Sequence, residues 1–457
     1  MDRSGQEEPG QIRKLSASGP KWPTGETAPD KQEDRPAWLS KQKTIKEGIF
    51  CDWFLSVYPM KCINGRFYSK DGIVEDEGFL KKLIYDELSI WLDSGVGRRT
   101  EDLLKALRIA SFSEPVPPDL HRIHVANGTL CLDGTFTEEK VHCMNRLTVD
   151  YRPDSPTPSR WLSFLSELLE EEDIPALQEY LGYCLLPVTR AQKMMMLIGR
   201  GGEGKSRIQC VMSAIFGDSM NTTSIQKVET NRFSRADLEG KLLMIDDDMD
   251  ICGLPKTNLI KSIITCEGKM DTEKKGIQSV QRRLYVRFLC FGNGALTALH
   301  DRSDGFFRRQ IILTTKDRPE DRVDDPFLSE KLISEKEGIF LWMVEGLKRL
   351  MANDYRFSIS RRALDNLASV SRDADNIRGF MESEGYFTFQ EDGAARTRDL
   401  YEAYREWCDD NADQPLSMKS FSNHFAMNYR RYGLTPTNNI YSAGRRGRGY
   451  TGIRTAV

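Results

Sequence analysis

The chain has 457 residues and a net charge of −3, with a pI near 6.1. That length suits roughly two to four domains, and no global excess of positive charge advertises a nucleic-acid partner, so any such surface must be local. Ten cysteines and five histidines are dispersed without a C-x-x-C pair, which argues against zinc and disulfide scaffolds; with no apolar leader and no membrane-length stretch, a soluble cytoplasmic protein without a membrane partner is expected.

Residues 1–45 mix Gly, Pro, Ser and charges of both signs, with prolines at 9, 20, 23, 29 and 36. Too little apolar surface is present to offset ordering entropy, so a disordered tail is expected. Trp22 and Trp38 are the exceptions, suited either to anchoring a partner or to packing on the body of the protein. Residues 46–158 read as a small α+β domain. Phe79 to Leu88 carries helical periodicity, while Arg122–Val125 and Thr129–Leu132 alternate around Asn127-Gly128, a hairpin signal. His121, His124, His142 and Cys143 cluster here in sequence, but their spacing is poor for a metal and favours a structural role.

Residues 159–375 carry the chemistry. After a helical stretch from Trp161 to Leu186, Met194–Ile198 reads as a short buried strand. Gly199-Arg200-Gly201-Gly202-Glu203-Gly204-Lys205-Ser206 then matches G-x-x-x-x-G-K-[ST] at every fixed position, and a run without breakers follows that can open a helix. Strand, glycine loop and helix together make a phosphate-binding loop. Gly199, Gly201, Gly202 and Gly204 let the backbone turn its N–H groups onto a phosphate chain. Lys205 would reach the β- and γ-phosphates of ATP, and the Ser206 hydroxyl would sit on Mg²⁺.

About forty residues on, Lys241–Ile245 reads as a buried strand ending in Asp246-Asp247-Asp248, the Walker B arrangement. One acid holds Mg²⁺ and the next polarises the attacking water. Asp247 and Asp248 are the expected pair, with Asp246 able to shift the register by one. A further buried run from Leu284 to Phe291 ends at Gly292-Asn293, where the Asn293 amide would hold the nucleophilic water or sense the γ-phosphate. Arg308 and Arg309 stand directly before the strand Gln310–Leu313, where an arginine of a ring ATPase faces the neighbouring subunit's nucleotide. Helices are expected from about 326 to 375.

Residues 376–457 have their own pattern. Leu400, Tyr401, Tyr404 and Trp407 recur at helical spacing as core positions. Ser417 is placed to cap a second helix, Met418 to Asn428, and a strand–turn–strand pattern runs to Thr455: the outline of a winged helix. From Gln414 onward there are seven Lys or Arg and no Asp or Glu. Arg445, Arg446 and Arg448 on the wing would suit a phosphate backbone.

With these elements in place, the chain from about 46 to 457 resembles superfamily 3 helicases, specifically the C-terminal helicase module of phage and plasmid primases of the poxvirus and satellite-phage type. The resemblance rests on the phosphate loop, Ile245-Asp246-Asp247-Asp248, Glu273-Lys274-Lys275-Gly276, Asp304 to Arg309, and Glu337 to Trp342. It implies an α/β fold with an AAA+-like P-loop ATPase core, preceded by the small α+β domain and followed by the winged helix. It implies a homo-oligomeric ring, a hexamer, with Lys274 and Lys275 on a hairpin touching DNA in the channel. It also makes Arg309 the better arginine-finger candidate than Arg308. Two departures stand out: Glu203 where the family often carries Asn, and Leu296 where a Pro often follows the sensor asparagine. No primase active site is expected in this chain. The expected activity is a Mg²⁺-ATP-dependent DNA helicase replicating a phage, plasmid or other mobile element. It would act on single-stranded and duplex DNA, with a separately encoded primase or polymerase as a further partner. The alternatives are a replication initiator or loader, or a defence ATPase without processive unwinding.

Overall fold

Five short strands form one all-parallel sheet at the centre of the chain: β1 (Met194–Ile198), β2 (Met220–Thr222), β3 (Leu243–Asp246), β4 (Arg287–Gly292) and β5 (Gln310–Thr314). Their spatial order is β5-β1-β4-β3-β2. This computed structural model describes residues 35–457 apart from 75, 250–256, 267, 274–278, 293–303, 320–322, 375, 412, 414, 443–444 and 457. The strands read as nearly continuous apolar runs because both faces of a parallel sheet are covered. Strand alternation divides them cleanly. Met195, Leu197, Leu243, Ile245, Leu289 and Phe291 enter one core, whereas Met194, Met196, Met244, Phe288 and Cys290 enter another.

The first face is covered by helices Ser159–Leu168, Ile174–Tyr183, Lys205–Phe216 and Lys336–Ala352. Two of these approach backbone to backbone. Any side chain at Gly182 would run into the main chain of Met343 and Leu347, and one at Gly346 into that of Gln178. The second face carries the shorter helices Ile225–Thr230 and Asn258–Thr265. Among the described residues, no helix is long and apolar enough to cross a membrane.

The N-terminal part packs helices Glu47–Val57, Glu77–Trp91 and Val96–Ala110 with a small antiparallel sheet, Met60–Ile63, Arg66–Ser69 and Gly72–Ile73. Its core begins earlier than the expected disordered tail allows. Trp38 is 1% exposed and meets the Phe50 ring edge-on at 5.2 Å. One large buried aromatic offsets the ordering of the few polar residues around it, so residues 35–45 belong with the folded part. Trp22 lies outside the described residues.

The hairpin expected around Asn127-Gly128 is present, pairing Arg122–Val125 with Gly128–Cys131. Ile123, Val125 and Leu130 join the core of the first sheet face, so the apolar interior continues across residue 158. Arg146 ties this corner together by donating to the carbonyls of Val125 at 2.7 Å and Gly128 at 3.0 Å. His124 is buried beside it; burial first, then the Arg146 charge, pushes its imidazole down to about 4.

Residues from Asn376 onward bury a separate apolar cluster. Helices Thr397–Asp410 and Met418–Asn428 precede the antiparallel strands Thr435–Ser442 and Arg445–Thr455. The helix–helix–hairpin order follows the sequence reading. A third strand, Phe387–Arg396, pairs on the other side of Arg445–Thr455. It escaped notice because an irregularity between Phe389 and Ala394 breaks the alternation that marks a half-buried strand.

Candidate functional site

The loop that follows β1 is shaped by its glycines. Gly201, Gly202 and Gly204 have φ of 108°, 81° and 111°, values that side-chain-bearing residues rarely adopt. Gly199 is needed for a different reason: an added Cβ would meet Lys205 Nζ, Glu203 Oε1 and the Thr315 hydroxyl. Lys205 opens the twelve-residue helix Lys205–Phe216 and is only 8% exposed. Its ammonium donates to Glu203 Oε2 at 2.8 Å. Glu203 Oε1 in turn accepts the backbone N–H of Gly201 at 2.7 Å and that of Arg200. Ser206 stands at the second position of the helix, exposed.

Strand register sets the acids level with this loop. Cys290 of β4 is opposite both Met196 of β1 and Asp246 of β3, so Asp247 and Asp248 follow at the height where β1 runs into Gly199. The three aspartates differ in use. Asp246 is 4% exposed and accepts the Ile225 N–H at 2.8 Å. Burial, reinforced by its two acidic neighbours, raises its carboxyl above the usual range. It holds a helix start on the second sheet face. The strand ends at Asp246, and Asp247 and Asp248 follow in the bend beyond it. There Asp247 Oδ1 is buried without a hydrogen-bond partner, while Asp248 is exposed.

An orphaned carboxylate oxygen is a hard donor of the kind Mg²⁺ takes, as is the Ser206 hydroxyl at the start of the helix. Among the described residues no group of three or more His, Cys, Asp or Glu could hold a metal by itself.

On the β5 side of the loop lies a cavity of about 550 Å³ lined by Glu170, Gly199, Thr314, Thr315, Asp317 and Arg362, among others. Arg362 Nε donates to the Thr314 hydroxyl at 3.0 Å and Nη1 to Glu170 at 3.3 Å. Thr315 N–H donates to the Ile198 carbonyl at 2.8 Å, which clamps the end of β5 to the strand that carries the loop. Apart from Gly199, these residues carry no signal of a site in the sequence beyond the Thr-Thr pair at the end of an apolar run. The pairing of β5 with β1 was needed to make that pair meaningful.

Arg308 and Arg309 lie at the other end of the sheet. The Arg309 carbonyl accepts the Met194 N–H at 2.8 Å, so both arginines sit at the start of β1 and the loop at its finish. Five residues of strand separate the two, about 17 Å. Arg308 is exposed, whereas Arg309 is half-buried with its guanidinium on the Gly305 carbonyl.

Of the DNA candidates, Lys274 and Lys275 lie outside the described residues, as does Asn293. The strands flanking the lysine segment, Met270–Thr272 and Val280–Arg282, do pair antiparallel. Arg445 starts the last strand. Arg446 and Arg448 are exposed two residues apart, hence on one face of it, and Arg446 Nε donates to Asn439 Oδ1 at 2.9 Å. Tyr441, directly opposite Arg446, is 77% exposed.

Residues 197–309 match a family of unknown function, DUF5906; that stretch begins just before the glycine loop and ends at Arg309. No curated protein matches in sequence. Solved structures similar to this chain include the A form apo structure of the NrS-1 C-terminal region, at a TM-score of 0.48 and 12% identity, covering 84% of this chain and 93% of that one. An apo structure of NrS-1 residues 305–718 is similar at a TM-score of 0.48 and 9% identity, covering 89% and 100%.

Proposed function

We propose that this chain is a Mg²⁺-ATP-dependent DNA motor, an AAA+-like P-loop ATPase of the superfamily 3 helicase type. It works as a ring, a hexamer, on single-stranded DNA during replication of a phage, plasmid or other mobile element. The observation that carries the reading is one juxtaposition. A glycine loop with a buried lysine and an acid with an orphaned oxygen lie at the carboxyl end of one parallel sheet, where ligands of such sheets bind. Their strands are separated by β4, so a phosphate chain on the loop would have an acid to one side and the tip of β4 beneath it.

Bound Mg²⁺-ATP supplies the phosphoanhydride and the concentrated charge that hydrolysis must disperse. Lys205 would neutralise the β- and γ-phosphates. Ser206 and Asp247 would hold the metal, and Asp248 would take the proton of the attacking water, with Asn293 orienting it. The polar cavity beside β5 is of a size suited to a nucleoside. Because Arg308 and Arg309 begin about 17 Å from their own loop, either would act on a neighbour's nucleotide. Exposure favours Arg308, whereas the resemblance favours Arg309. Lys274 and Lys275 would grip single-stranded DNA, and the C-terminal region would bind duplex DNA as a winged helix. The basic, exposed hairpin also favours a second reading, an initiator or loader that binds duplex through the wing and uses ATP to lock the ring.

Strand displacement on a tailed duplex, measured together with ATP hydrolysis, tests the proposal. The wild-type chain should unwind DNA and hydrolyse ATP faster with single-stranded DNA. Lys205→Ala should lose hydrolysis by about 10²-fold or more, as loss of a transition-state charge contact does. DNA-stimulated hydrolysis without unwinding selects the initiator reading. A wild-type chain that hydrolyses no ATP under any of these conditions overturns the motor assignment.

A further inference from the structure

The donors that a phosphate would need are already engaged by the protein itself. Glu203 Oε1 takes the N–H groups of Arg200 and Gly201, and Oε2 takes the Lys205 ammonium at 2.8 Å. Two loop amides and the loop lysine form the donor set that makes this motif an anion cradle. The carboxylate is 3% exposed and fills the space above Gly199, where an added Cβ would meet both members of the pair. Burial alone would raise its pKa, but the Lys205 bond and the loop amides outweigh that and hold it below the usual carboxylate range. At neutral pH the cradle therefore contains an anion.

We infer, on the reading of this loop as a nucleotide site, that Glu203 is a tethered phosphate mimic that closes the empty cradle and must be displaced when a phosphate chain enters. A buried lysine beside inward-facing amides is costly unless an anion compensates it. Glu203 supplies one negative charge and two acceptor atoms. A di- or triphosphate brings more of both, so it wins the exchange. The exit route is built into the backbone: Glu203 stands between Gly202 and Gly204, both at positive φ. Rotation at two glycines lets the carboxylate swing to solvent without disturbing the helix that starts at Lys205.

The consequence is a loop that is self-neutralised at rest and open for only a fraction of the time. Apparent affinity is then reduced by the open fraction. An internal competitor exists only in the free protein, so it slows association and leaves dissociation unchanged. Glu203→Gln keeps the length and removes the charge, and Glu203→Asn also removes the reach.

The test compares the full-length wild type with both variants. Mg²⁺-ATP and pyrophosphate affinities come from calorimetry, and association and dissociation rates from stopped flow with a fluorescent ATP analogue. If the closed form holds about nine-tenths of the free protein or more, both variants bind each ligand at least about tenfold more tightly. The gain should appear in the association rate, with dissociation within about twofold. Variant affinities equal to or weaker than wild type, or a gain confined to dissociation, overturn the mimic while leaving the nucleotide site standing. Failure of wild type and variants alike to bind ATP or pyrophosphate overturns the nucleotide reading, and the inference with it.

Discussion

Asp246 and Asp247 are neighbours in the chain, and they differ in their hydrogen-bond partners. Asp246 is spent on the Ile225 N–H; Asp247 keeps a buried oxygen without a partner. Asp246→Ala should therefore lower stability by about 1–3 kcal/mol, the cost of a buried donor left unsatisfied, as read from the denaturant midpoint. Asp247→Asn should leave that midpoint in place and remove Mg²⁺-dependent hydrolysis. If the two phenotypes are exchanged, the register of the acidic run has been misassigned. The sequence shows three aspartates after an apolar strand and favours Asp247 and Asp248, with Asp246 able to shift the register by one. Only the position of the helix beginning at Ile225 says which aspartate is taken up by a backbone N–H. Glu203 is similar: its presence in the loop was plain, whereas its fold-back onto Lys205 depends on two glycine dihedrals that no pattern of residue types encodes.

At the scale of elements, the C-terminal hairpin presents exposed arginines. Arg446 and Arg448 project from one side of the strand Arg445–Thr455, with the exposed Tyr441 across from Arg446. Phosphate contacts carry no sequence information and release counterions. Replacing both arginines by alanine should weaken duplex binding uniformly across sequences. It should also flatten the log–log salt dependence by about 0.9 per lost contact, while stimulation of ATP hydrolysis by single-stranded DNA stays near wild type. An unchanged slope would make the pair a solvated face. The two helices were legible from the spacing of their apolar residues. The strand Phe387–Arg396 was not, since its irregular pairing mixes apolar and charged residues over the middle of its length.

For the whole molecule, the length of the sheet has a functional consequence. The loop and Arg308–Arg309 sit at opposite ends of β1 and β5, about 17 Å apart, farther than an arginine side chain spans. If an arginine helps hydrolysis, it does so between subunits. Mixing Lys205→Ala chains with chains carrying Arg308→Ala and Arg309→Ala should then restore hydrolysis above that of either variant alone. A mixed interface in one of its two orientations pairs an intact loop with an intact arginine. Activity that never exceeds the sum of the separate variants would rule out sharing of the site.

The amino-acid sequence by itself determined the loop, its lysine, the apolar runs of β1, β3, β4 and β5, and the helix–helix–hairpin order near the C-terminus. These follow from local chemistry: positive-φ glycines, residues of one polarity on one face, and short spacings. Tertiary structure decided what depends on neighbours distant in sequence. It placed β4 between β1 and β3, and so set the acids level with the loop. It brought Thr315, Asp317, Glu170 and Arg362 around one cavity, drew Trp38 into the N-terminal core, and seated the Glu203 carboxylate on the loop amides. Each of these is a contact set by pairing or packing between elements, and a linear pattern holds no record of which elements will meet.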